Sequence, residues 1–204
     1  MNWLAHLYLS EPNPEFRLGN LLPDIARGQS LASLPEAFQQ GITQHRRIDA
    51  FTDSHPLVRR SIQRFTPPFR RFGGILCDVF YDHFLARDWD SYSSEPLSAF
   101  AQSVYASFDV YRPLIAPDAY SLLDNMRAGD WLCSYRDLAG ISRALERIGS
   151  RLRRPVDLSQ SVLTLQREYD SFDSDFRTFF PELSSYVSGF ACPTAHSSEE
   201  TRVN

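Results

Sequence analysis

The chain has no lysine: all 21 of its basic residues are arginine. That excludes Schiff-base chemistry, a P-loop lysine and a lysine general base. Any anion this protein grips is therefore held by arginine, histidine, backbone amides or a metal. Cysteine is scarce, and Cys77, Cys133 and Cys192 are widely spaced. Such spacing suits neither a disulfide framework nor a CxxC metal site, and a reducing, cytoplasmic home is the simplest reading. No apolar run reaches the length of about 18 residues that a membrane-spanning helix needs. The opening MNWLAHLYLSEP lacks the basic leader and small-residue cleavage site of a secretory signal. Strand signals are nearly missing, with no Asn-Gly or Asp-Gly hairpin and no sustained Val/Ile alternation. GxSxG, GxGxxG, P-loop and HExxH motifs are all absent, so those nucleophile, dinucleotide, nucleotide and zincin chemistries are not indicated.

What is present reads as helix. At 204 residues, 43% hydrophobic and 13% aromatic, the chain is long and apolar enough to bury a core. Apolar residues recur at spacings of three and four in most windows. A first short helix is expected around Leu4–Tyr8, and a second segment from Phe16 is expected to break at Pro23. A long helix is expected over 36–53, another from Val58 to Pro67, and one opened by Gly73-Gly74. Further helices are expected over Ser94–Tyr111, Pro117–Asn125, Trp131–Arg136 and Ile141–Gly149, with the longest over Leu158–Phe180. The fold class is all-α: one helical bundle over residues 1–190, followed by a polar tail at 191–204.

Polar residues embedded in this apolar pattern carry the candidate chemistry. In HRRIDAFTD, His45 and Asp49 are four apart and share a helix face, with Asp53 one turn on. In DVFYDH, Asp78 and Asp82 are again four apart, with His83 adjacent. A carboxylate among apolar residues demands a compensating cation. Two helices presenting Asp and His to a common core make a cage for a divalent metal. Ordinary ion pairs of Asp49 or Asp53 with Arg46 or Arg60 would answer the same demand. Asp24 lies in GNLLPDIARG between Gly19 and Gly28, where glycine permits a tight backbone beside a ligand; it also reads as the cap of a following helix. His6 reads as a core histidine or as a site residue. His55, before Pro56, reads as a turn or cap residue, and His196 falls in the polar tail.

A net charge of −4 gives no general attraction to nucleic acid. Charge is uneven, however. The stretch 59–71, RRSIQRFTPPFRR, has five arginines and no acid, and 151–154 reads RLRR. Each is a solvated helix face or a landing site for an acidic partner.

The strings MNWLAHLYLS, GNLLPDIARG, GITQHRRIDAFTDSHP and DVFYDHFLARDW, in that order, resemble the acyl carrier protein phosphodiesterase family. The match is dense over roughly residues 1–90. DWLCSY around Asp130 and Trp131 adds a weaker one, and the last third shares only helical character. The resemblance implies hydrolysis of the phosphodiester that joins 4′-phosphopantetheine to a serine of acyl carrier protein. It also implies an all-helical architecture related to the HD superfamily of metal-dependent phosphohydrolases. Carried onto this chain, it places Asp24, His45, Asp78, Asp82 and His83 around a divalent metal, Mn²⁺ with Mg²⁺ or Fe²⁺ as alternatives. Asp49, Arg46 and His6 become the catalytic residues. Arg59, Arg60, Arg64, Arg70 and Arg71 become the landing site for holo-acyl carrier protein, with no nucleic acid or membrane partner. Two departures stand out: Tyr8 occupies a position where the family is associated with a second histidine, and Asp82-His83 reverses the HD order. The residues alone also admit a metal-dependent phosphohydrolase of nucleotides or other small diesters, or a non-catalytic carrier-protein-binding protein.

Overall fold

The structure is a computed structural model and describes residues 1–26 and 30–189. The expected polar tail, with Cys192 and His196, lies outside the described residues, as does Gly28. Eleven α-helices are described: α1 Trp3–Tyr8, α2 Pro14–Ile25, α3 Glu36–Ser54, α4 Pro56–Gln63, α5 Gly73–Arg87, α6 Leu97–Ser107, α7 Pro117–Ala128, α8 Trp131–Ser134, α9 Leu138–Ser150, α10 Val162–Arg167 and α11 Tyr169–Ser188. Short 3₁₀ turns link several of them, and the described residues contain no strand. None of these helices is long and apolar enough to cross a membrane.

The centre of the bundle is α5. Leu76, Cys77, Val79, Phe80, Tyr81, Phe84, Leu85 and Ala86 on it are all buried. A helix that is apolar around its whole circumference must be surrounded. Phe65 and Phe172 cover one side through Phe80, and Phe176 and Phe180 of α11 stack beside Phe84. The α5 polar pair Asp82 and His83 is buried with these residues.

Two local expectations need correction. Pro23 does not break α2, which runs on to Ile25. A proline removes one backbone donor, and here only Asp24 and Ile25 follow it within the helix, so little remains to be disrupted. Asp24 therefore lies inside α2 instead of capping a later helix. The expected helix over 158–180 is divided at Glu168, whose backbone leaves helical geometry (φ −107°, ψ 23°), and α11 then continues past Pro181.

Gly19 and Gly41 do not face a ligand cavity; they let α2 and α3 touch. A Cβ on Gly19 would lie 2.3 Å from the Phe38 carbonyl oxygen, and one on Gly41 would lie 2.1 Å from that of Phe16. No side chain larger than hydrogen fits at such distances. This backbone contact sets Asn20 and Asp24 of α2 against His45 and Asp49 of α3.

Candidate metal centre

Asn20, buried in α2, organises the site. Its Nδ2 donates to the His6 carbonyl oxygen at 2.9 Å and to Ser10 Oγ at 2.8 Å. Those two acceptors orient the amide, so Oδ1 faces His6 and accepts from His6 Nδ1 at 2.9 Å. The Asn20 backbone carbonyl accepts from His45 Nδ1 at 2.8 Å. One residue thus takes the Nδ1 proton of both imidazoles, which stack with centroids 4.2 Å apart. With each Nδ1 carrying a proton, each Nε2 presents its lone pair to the site.

Both Nε2 atoms face oxygen. His6 Nε2 lies 3.2 Å from Asp49 Oδ1 and 3.0 Å from the Met1 carbonyl oxygen. His45 Nε2 lies 3.1 Å from Asp49 Oδ2 and 3.6 Å from Asp24 Oδ1. Lone pairs aimed at oxygens repel unless a proton or another cation stands between them. Two stacked imidazoliums are an expensive answer. Burial holds the His6 pKa below its ordinary value, and the chain's amino group and His45 push the same way, although Asp49 opposes them. Burial also opposes charge on His45, but the hydrogen bond to Asp49 and the charges of Asp24 and Asp49 overcome it and raise its pKa. Asp49 feels the reverse. Burial works against its charge, and contacts to His45 and His6 more than compensate, so its carboxyl lies well below the ordinary range.

The arrangement fits a divalent cation. His6, His45 and Asp49 each offer one ligand atom, and those atoms lie within 4.8 Å of one another. Two Nε2 donors plus a carboxylate, each imidazole anchored through Nδ1 to a carbonyl-type oxygen, is the usual construction of a metal-binding histidine pair. Asp24 stands beside the set, and Trp3 Nε1 holds its other oxygen at 3.1 Å.

Of the residues expected from sequence, His6, Asp24, His45 and Asp49 come together here. Asp78 is set one step back. The amino group of Met1 is buried between Asp78 Oδ1 at 3.2 Å and Asp49 Oδ1 at 3.3 Å. Burial tends to discharge this ammonium, but the two carboxylates more than offset that and raise its pKa to about 10. Part of the positive charge that embedded carboxylates demand is thus supplied by the chain itself. Asp49 pairs with His6, His45 and this ammonium.

Asp82 and His83 do not join the cluster. Both Asp82 oxygens accept from the first turn of α1, from Leu4 N at 2.8 Å and Ala5 N at 3.1 Å. Burial raises its pKa to about 7 despite these bonds. It is a helix cap supplied from another helix. His83 points elsewhere: Nδ1 donates to the Tyr135 carbonyl at 2.9 Å. Arg87 donates to the Tyr169 hydroxyl at 3.0 Å, which leaves that hydroxyl to donate to His83 Nε2 at 2.7 Å. Both His83 nitrogens are spent.

Arg46 is exposed, one residue and about 100° of helix rotation from His45. It does not line the cleft that opens onto the cluster. That cleft has a volume of about 460 Å³ and is bordered by Trp3, Asp24, Asp49 and Asp78, with Ile75, Leu122, Ile148 and Arg151 among its other walls. Among the described residues, Arg151 is the arginine that borders the cleft. In the 59–71 stretch, the exposed Arg60 and the half-buried Arg64 bond the fully buried Asp175 of α11 together with Ser61, and Arg59, Arg70 and Arg71 are exposed without a bond to Asp175. Tyr8 donates to the Tyr92 carbonyl at 2.9 Å, outside the cluster. His55 caps α4, its Nδ1 accepting from Leu57 N at 3.3 Å.

Sequence reasoning passed over Asn20 and Trp3. Asn20 carried a usable signal, since it lies four residues before Asp24 inside an otherwise apolar helix. Trp3 carried none that distinguishes it from core.

Comparison with known proteins agrees with the motif strings. A family model described as acyl carrier protein phosphodiesterase matches residues 1–183. The acyl carrier protein phosphodiesterase of Enterobacter sp. (strain 638) is 36% identical over 184 residues, covering 90% of this chain and 95% of that protein. Those of Salmonella agona (strain SL483) and Salmonella newport (strain SL254) match with the same identity and coverage. No solved structure matches the chain significantly.

Proposed function

The chain belongs to the acyl carrier protein phosphodiesterase family, and on that premise we propose that it hydrolyses the diester between 4′-phosphopantetheine and the carrier-protein serine. Products are the apo-carrier protein and free phosphopantetheine. The observation that carries the chemistry is the meeting of His6 Nε2 and His45 Nε2 with Asp49, which itself lines a cleft. Family membership supplies the substrate.

His6, His45 and Asp49 would hold the metal, Mn²⁺ in our reading with Mg²⁺ or Fe²⁺ as alternatives, and Asp24 would complete or flank the set. Such an ion polarises phosphoryl oxygens and lowers the pKa of bound water. The protein's own part is positional. Asn20 keeps both imidazoles in one tautomer, and Trp3 keeps Asp24 aimed inward. Arg151 gives the cleft a planar cation matched to phosphate oxygens. The departing serine oxygen needs a proton. Asp78 lines the same cleft, and burial raises its pKa, the direction a proton donor requires. Arg59, Arg70 and Arg71 are the exposed cations of the 59–71 stretch that do not serve Asp175, and they suit an acidic carrier protein. A cytoplasmic site of action goes with this reading, as do the free thiols of Cys77 and Cys133.

The test is incubation of the metal-reconstituted protein with holo-acyl carrier protein, followed by intact mass. Loss of one phosphopantetheine, prevented by chelator and by His45→Ala in a variant with native circular dichroism, supports the reading. An unchanged carrier mass with Mn²⁺, Mg²⁺, Fe²⁺ and Zn²⁺ overturns it.

A further inference from the structure

The first cleft does not end at the cluster's mouth. It shares Leu122 and Arg151 with a second, more open cleft of about 520 Å³ that is bordered by Asn125, Trp131 and Arg147. Each volume is of the size that takes a small organic ligand. Trp3 borders the first cleft and Trp131 the second, and their rings stack 5.7 Å apart at an interplanar angle of 9°. Arg147 lies over Trp131, its guanidinium carbon 3.9 Å from the ring centre. A guanidinium stacked by its face leaves its N–H edge for acceptors. Arg147 borders the second cleft, and one of its donors is open: Nη2 is buried and has no hydrogen-bond partner in the protein. Buried donors are almost always satisfied, so one left open on a residue that borders a cleft is a donor that a small turn of the guanidinium would offer to a ligand acceptor.

We propose that the second cleft is the subsite for the pantetheine arm, with Arg147 as the residue that grips an amide carbonyl of the arm. This rests on the phosphodiesterase reading above. With phosphorus held at the cluster, the arm must leave on one side and the carrier protein on the other, and the second cleft continues directly from the first through Leu122 and Arg151. The chemistry matches. The arm is a chain of methylenes and methyls interrupted by two amides, and the subsite offers Leu122 and tryptophan surface together with an N–H donor. A bare phosphate or a second carboxylate would also suit an arginine. Pantetheine, which lacks the phosphate, separates these occupants from the arm.

Two variants test it in the full, metal-reconstituted chain. Arg147→Met keeps the apolar stem over Trp131 and removes the donors; Ser150→Trp, at an exposed position bordering the second cleft, obstructs it without touching the core. Pantetheine should bind the wild type in calorimetric titration and bind both variants about tenfold more weakly, the usual size of one hydrogen bond from a charged group. KM for holo-acyl carrier protein should rise by a similar factor, with kcat within about twofold. Hydrolysis of bis(p-nitrophenyl) phosphate, which has no arm, should be unchanged. Equal pantetheine affinity in all three proteins, or inorganic phosphate protecting Arg147 while pantetheine does not bind, overturns the subsite. If wild type leaves holo-carrier protein intact, the phosphodiesterase reading fails instead, and the pantetheine titration still decides the subsite by itself.

Discussion

His45 with Asp49 on α3 and Asp82 with His83 on α5 are built from the same two residue types. Both histidines are buried, and both pairs sit in apolar sequence. They differ in what their polar atoms already touch. In the α5 pair both carboxylate oxygens and both ring nitrogens are engaged inside the fold, by two amides of α1, by the Tyr135 carbonyl and by Tyr169. On α3 one nitrogen of His45 is anchored and the other is aimed, with His6 and Asp49, at a shared point beside a cleft. Burial and residue type do not separate structure from chemistry in this protein. Saturation does: a buried polar group with all its partners holds the fold together, and one with a partner still to come is available for a ligand.

The sharpest way to break this comparison is to remove one member of each pair. His45→Ala should lower turnover of holo-carrier protein by about a thousandfold, roughly 4 kcal/mol in transition-state terms, while leaving Tm within a few degrees. Asp82→Ala should do the opposite. Two buried N–H groups at the start of α1 lose their acceptor, for a loss of about 2–4 kcal/mol in unfolding free energy, read by urea titration. Mn²⁺ affinity per folded molecule should be retained. A fully stable Asp82→Ala variant that no longer binds metal would place Asp82 back among the ligands.

Asn20→Ala tests the anchoring. With His6 Nδ1 no longer held, metal affinity should fall by about 10–100-fold, measured by competition with a chelator. Asn20→Ala leaves the backbone carbonyl to His45, so the loss should be smaller than in His45→Ala.

The Arg60–Asp175–Arg64 group is a saturated site whose charge makes it visible to pH. Burial raises the Asp175 pKa, but hydrogen bonds from Arg60, Ser61 and Arg64 outweigh it, and the net shift is downward. A carboxyl with a depressed folded pKa binds fewer protons folded than unfolded. Its contribution is complete above the unfolded pKa of about 4 and is lost as pH falls through the lower folded value. Wild-type Tm should therefore drop more steeply below about pH 4 than that of Asp175→Asn, which should be less stable at pH 7 by about 1–3 kcal/mol. Parallel acid limbs would show that Asp175 is not the group responsible.

The smallest effect belongs to the exposed arginines. Arg70→Gln with Arg71→Gln should raise KM for the acidic carrier protein by a few fold, at under about 1 kcal/mol, and weaken its salt dependence while kcat holds. Arg60→Gln should act chiefly on Tm, because Arg60 serves Asp175. A KM that ignores Arg70 and Arg71 would move the docking face elsewhere.

The amino-acid sequence by itself determined that this chain is helical, that it can grip an anion only with arginine, histidine, amides or a metal, and which motif strings place it in its family. Those properties are local: apolar spacing along one helix, the presence or absence of a residue type, a short run of letters. It also brought His45 and Asp49 onto one face, because four residues are about one turn. Only the tertiary structure decided which polar residues meet. Whether Asp82 reaches a metal or two amides of α1 depends on a contact between residues 78 apart in the chain. The joining of α2 to α3 depends on two glycines whose missing side chains let the backbones touch. Long-range packing assigns hydrogen-bond partners, and those partners decide which of several similar side chains is left free to act.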